Sequence, residues 1–135
     1  MTPKNIKTTA VNKSDYIIYL KKANDFYAVT QKAGDSGLWA AVGLNAVHCA
    51  ISCCDALLAF YLGIRSVSDN HMDAADLLMR IPQDKLAGEA STYKRIIAKK
   101  NLIAYDCREF RQTEAIDISK QAERFYNWTL SNLPK

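Results

Sequence analysis

The apolar positions change their spacing several times along the chain, and each change marks an element. Residues 1–13 are polar and without period, and are expected to form a flexible N-terminal arm. From Ser14, a residue suited to cap a helix, DYIIYLKKANDFYAVTQKAG sets Ile17, Leu20, Ala23, Phe26 and Tyr27 at helical spacing, and Gly34 is placed to close it. Residues 38–64, LWAAVGLNAVHCAISCCDALLAFYLGI, are the most apolar part of the chain and predict the central helix of a bundle. In DNHMDAADLLMRI, Ala74, Leu77, Leu78 and Ile81 share one face, Asp73, Asp76 and Arg80 point the other way, and His71 lies at the rim of the apolar side. Pro82 ends that segment, and residues 83–90 read as a polar linker containing a glycine. From Ser91, TYKRIIAKKNLIAYD resumes helical spacing through Ile96, Ile97 and Leu102. A charged loop follows, and Thr113 is expected to cap a last helix presenting Ile116, Ala122, Phe125 and Thr129, stopped by Pro134. The expected fold is all-α, an antiparallel bundle of four to five helices in one domain over residues 14–135.

The central segment raises the question of a membrane. A spanning helix needs about twenty consecutive apolar residues, and here Asn45, His48, Ser52 and Asp55 interrupt at steps of three, four and three. At about 100 degrees per residue those four side chains fall within an arc of about 80 degrees. They make one polar stripe on an otherwise apolar helix, so no membrane is expected. An acid in mid-helix is costly to bury alone, so Asp55 needs a partner or a wet groove. Two accounts of the stripe stay open: a core polar network that fixes helix register, or one wall of a functional groove.

Composition narrows the class. Of the 135 residues, 49% are hydrophobic and 24% charged, the balance of a folded globular domain. Five Gly and three Pro are too few for many short strands. The net charge of +4 fits an anionic partner without requiring one. No signal-peptide pattern follows the first residues, and Cys49, Cys53 and Cys54 crowd one apolar segment as buried thiols do, so a cytoplasmic product is expected. Cys49, Cys53 and His48 lack the further ligands of a metal site, and none is expected.

Candidate chemistry concentrates in residues 63–71, GIRSVSDNH. A helix ending at Arg65 and another starting near His71 would bring a guanidinium and an imidazole to one small pocket. Guanidinium grips phosphoryl oxygens in a fork, and imidazole moves protons near neutral pH. Partial burial and the helix start would both keep His71 neutral and available as a base. Lys94, Arg95, Lys99 and Lys100 form the most basic stretch, either a solvated face or a track for a polyanion.

In order, AVHCAISCCDALLAFYLGIRSVSDNH, a short amphipathic helix, the Lys-rich KKNLIAYD and a last helix with AERFYNW resemble a small bacterial protein of the HEPN superfamily, over about residues 14–133. The defining motif of that superfamily is an Arg, four to six residues, then a His, which Arg65 and His71 satisfy. Ser66 occupies the polar position after the Arg. Asp73 stands where the toxins paired with minimal nucleotidyltransferases carry a Tyr. The resemblance implies metal-independent cleavage of RNA without a cofactor, with His71 as the base that takes the ribose 2'-hydroxyl proton and Arg65 on the scissile phosphate. Ser66, Asp69, Asn70 and Asp55 would orient these groups, and Lys94, Arg95, Lys99 and Tyr105 would bind RNA or nucleotide. It further implies a homodimer, and an antitoxin or nucleotidyltransferase partner if the protein is a toxin or belongs to a defence system. The alternative is a non-catalytic helical module that binds nucleotide, RNA or a partner protein.

Overall fold

A computed structural model of the protein describes residues 5–134. Four longer helices, α1 (Tyr16–Asp35), α2 (Trp39–Leu62), α4 (Leu86–Ile97) and α6 (Gln112–Ser131), make the bundle, and two short ones, α3 (Met72–Leu78) and α5 (Lys100–Tyr105), fill its end. The all-α expectation holds. One small addition is a two-stranded antiparallel sheet, β1 (Thr8–Ala10) with β2 (Ile64–Ser66).

Helix α2 is the axis. It is long and apolar enough in composition to cross a membrane, yet 67% of its apolar window is buried by the rest of the protein. A three-residue link folds it back along α1, its most extensive neighbour, and α6, α5, α3 and α4 complete the surround. Val47, Leu57 and Leu58 from α2 meet Tyr93 and Ile96 from α4 and Ile118 and Phe125 from α6 in one fully buried cluster. The Tyr93 and Phe125 rings stand 5.6 Å apart. Gly43 of α2 lets the end of the bundle close, because a Cβ there would lie 2.7 Å from the Phe110 ring and 2.9 Å from Ile103.

Several local expectations are corrected. The arm is not loose from residue 5 onward: Ile6 is buried, and residues 8–10 pair with 64–66; residues 1–4 of the expected arm lie outside the described residues. Arg65 does not end the central helix. That helix stops at Leu62, Gly63 caps it in the left-handed conformation (φ 64°), and Arg65 stands on β2 opposite Thr9. The linker at 83–90 is half helix, since α4 begins at Leu86 and buries Leu86, Glu89 and Ala90 despite Gly88. The basic segment is broken between α4 and α5 rather than continuous. Helix α6 is capped through Arg111 and Glu114 rather than Thr113. Ile17 and Ile116, expected inside, are exposed, while Asp73, expected outside, is buried.

Candidate functional site

Two local devices bring Arg65 and His71 together. At Gly63 the chain leaves α2 and runs out as β2, held by Val11 N–H donating to the Gly63 carbonyl (3.0 Å) and Val67 N–H donating to the Lys7 carbonyl (3.1 Å). It then turns back through a loop closed by side chains. The Ser68 hydroxyl donates to Asp73 (2.7 Å) and accepts from Asn70 N–H (3.2 Å), and Asn70 Oδ1 accepts from Met72 N–H (3.0 Å). His71 sits at the cap of α3 where this loop ends.

The strand and the loop enclose a cavity of about 310 Å³ lined by Asp55, Arg65, Ser66, Ser68, His71 and Tyr93, among others. Arg65 reaches Asp55 at 3.8 Å, and its guanidinium carbon lies 5.8 Å from the centre of the Tyr19 ring. Its side chain is 48% exposed against 13% for Asp55. The anchor is therefore buried and the cation half free, which leaves guanidinium N–H groups available to an anion. Burial pushes the Asp55 carboxyl up to about 6, with Arg65 and Lys22 pulling the other way.

His71 is half-buried. Burial first, then the charge of Lys100, then His48 and Arg65, hold its imidazole below the ordinary 6.5. At neutral pH the ring is uncharged and can accept a proton. His48, one turn before Ser52 on the α2 stripe, lies tilted against the Phe26 ring with ring centres 5.3 Å apart, and burial and then Lys100 lower its pKa. Of the two accounts of the stripe, the groove applies to Asp55, which lines the Arg65 cavity, and not to His48, which lines neither this cavity nor the next. Asn45 instead donates to its own helix at the Ala41 carbonyl (2.8 Å).

His71 also borders a second cavity of about 230 Å³, lined on one side by Asp69, Asn70 and Met72 and on the other by Ile97, Lys100 and Asn101. Asp69 and Asn70 thus sit beside His71 but not in the Arg65 cavity. Of the basic stretch only Lys100 lines either cavity, and Lys94, Arg95, Lys99 and Tyr105 line neither. Lys94 pairs with Asp76 at 3.5 Å, Arg95 donates to Thr92 (3.2 Å), Lys99 lies by Phe110 and Glu114, and Tyr105 projects 79% exposed from the end of α5. The cation that reaches His71 is Lys100, placed there by the break between α4 and α5. Its signal in the sequence was present in the Lys-Lys pair, but which Lys faces inward depends on that break. Tyr19, Lys22 and Tyr93 were not legible as site residues, because only the packing of α1 and α4 on α2 brings them in.

Cys49, Cys53 and Cys54 are buried, and burial keeps the Cys53 and Cys54 thiols protonated. Fold and site together define a helical bundle with a cavity that holds a half-exposed guanidinium paired to a buried carboxyl and has a neutral imidazole at its wall. Comparisons with protein-family models and with curated proteins return no significant match.

Proposed function

We propose that the protein is an endoribonuclease that cleaves RNA by attack of a ribose 2'-hydroxyl on the adjacent phosphodiester. One observation carries the reading: Arg65 and His71 border a single cavity, with the imidazole held neutral and the guanidinium half exposed. A neutral His71 takes the 2'-hydroxyl proton, which makes the oxygen a nucleophile. The Arg65 fork binds the phosphoryl oxygens and offsets the charge that grows on them in the transition state. Asp55 holds Arg65 from behind, and the Tyr19 ring supports its flank. As the 2'-oxygen bonds to phosphorus the P–O5' bond breaks, the leaving 5'-oxygen takes up a proton from water, and His71 returns its own to solvent, so the products are a 2',3'-cyclic phosphate and a 5'-hydroxyl.

The same reading includes a homodimer in the cytoplasm whose two cavities share a groove. Its support is the apolar exposure near the site: Val67 two residues from Arg65, and Ile18 one turn before Lys22 on α1. A toxin or defence role with an antitoxin or nucleotidyltransferase partner belongs to this reading too. A non-catalytic nucleotide- or RNA-binding module is the second reading, favoured by the grip of Asp55 on Arg65, which suits anion capture as well as catalysis.

Incubation of the purified protein with single-stranded RNA in EDTA separates the two. Wild type cuts and the His71→Ala variant, folded but inactive, does not. Equal behaviour of the two proteins would exclude catalysis by this pair, and RNA binding without cutting, lost in Arg65→Ala, would establish the second reading.

A further inference from the structure

The geometry points to the second cavity bordering His71 as a base-recognition subsite that takes guanine, held between Asp69 on the loop before α3 and Lys100 with Asn101 at the start of α5. Four features support it. First, the cavity shares His71 with the Arg65 cavity, so a nucleotide whose phosphate lies on Arg65 has its neighbour's base beside this second space. Second, at about 230 Å³ it lies below the roughly 300 Å³ at which pockets for drug-sized ligands begin. That is room for one flat ring system rather than a whole nucleotide.

Third, its polar groups are of mixed kind. The Asp69 carboxylate repels a phosphate, which argues against a second phosphate site despite Lys100. A guanine edge needs this mixture: its ring N–H and amino group donate to a carboxylate, while O6 and N7 accept from an ammonium. Adenine offers no ring N–H donor to Asp69, and the pyrimidines lack N7. Asn70 spends its side-chain oxygen on Met72 N–H, so what it offers a ligand is a donor. Fourth, Met72 and Ile97 give the cavity apolar walls for the faces of the ring. The order of the two sites along an RNA strand rests on the ribonuclease reading; recognition of the base does not.

The test is binding of the four nucleoside 5'-monophosphates to the full chain, followed by NMR or calorimetry. The common phosphate and ribose cancel, so differences report the base alone. GMP is expected to bind about tenfold more tightly than AMP, CMP or UMP, the discrimination one good bidentate contact gives. Asp69→Asn should bring GMP within about threefold of AMP, and Lys100→Met should weaken GMP about tenfold. Asp69 and Asn101 are exposed, so Asp69→Asn and Asn101→Ala should melt with the wild type, and Asn101→Ala should also weaken GMP. Equal binding of all four nucleotides, or a guanine preference untouched by Asp69→Asn, would overturn the subsite even if the protein cuts RNA. Selective GMP binding lost in these variants would establish it even if wild type leaves RNA intact, and the ribonuclease reading alone would then fall.

Discussion

Replacing Asp55 by Asn should make the protein more stable and less able to hold a phosphate. The carboxyl, ordinarily near 3.8, is raised to about 6 because the cost of burial outweighs the pull of Arg65 and Lys22. At about 1.4 kcal/mol per pH unit, that displacement means the ionised form weakens the fold by about 3 kcal/mol. With Arg65 half in solvent this is an upper figure. The sign follows from the direction: below pH 3.8 the acid is protonated in both folded and unfolded chains and nothing is lost, and above pH 6 the full penalty applies. The gap between variant and wild type should thus be small at pH 4, grow between pH 4 and 6, and level off above pH 6. Thermal melts across pH 4 to 8 read it directly. At about 4 °C per kcal/mol for a domain of this size, the variant gains up to about 12 °C at pH 7.5. At the same pH, kcat/KM on RNA should fall about tenfold, because the guanidinium loses its buried anchor. A variant less stable than wild type at pH 7.5 and equal to it at pH 4 would refute the reasoning, since the ion pair would then be a net support of the fold.

The imidazole of His71 is held below 6.5, so the acid limb of a kcat/KM profile on RNA should fall off below pH 6.5, with the rate level from there to 7.5; an apparent pKa above 6.5 contradicts this. Gly43→Ala should cost about 1–3 kcal/mol in urea denaturation, because its Cβ meets Phe110 and Ile103 at under 3 Å, and it should disturb GMP binding through the displaced α5. Lys85 holds a φ of 66° at the start of α4, so Lys85→Gly should raise stability by about 1 kcal/mol, measured in the same way.

What the sequence revealed and what it hid have separate physical origins. The apolar run of α2, the need of Asp55 for a partner and the start near His71 all come from local spacing and are found in the structure, whereas the end of α2 at Leu62 was missed because the apolar spacing runs on through Ile64 into β2. The pairing of Thr9 with Arg65 was hidden, because a three-residue polar strand carries no alternation and its partner is remote in the chain. Helix phase was legible only to within a residue: Phe125, Ala122 and Thr129 face inward as expected, but Ala115 and Ile118 take the place of Ile116. Gly88 suggested a linker, yet a mid-helix glycine weakens a helix by only about 1 kcal/mol, which burial of Leu86 and Ala90 exceeds. Lys99 and Lys100 are indistinguishable by type, and the break after α4 decides which of them meets His71.

Cleavage by this route requires His71 to withdraw a proton from a ribose hydroxyl while Arg65 holds the phosphate. Mass spectrometry of the fragments from an RNA digested in EDTA, beside the same RNA with a single 2'-deoxy nucleotide at the cut position, tests this most directly. The expected result is a 2',3'-cyclic phosphate and a 5'-hydroxyl from the all-ribose strand, and no cut at the deoxy position. Fragments ending in a 3'-hydroxyl and a 5'-phosphate, or cutting that persists at the deoxy position, would contradict it.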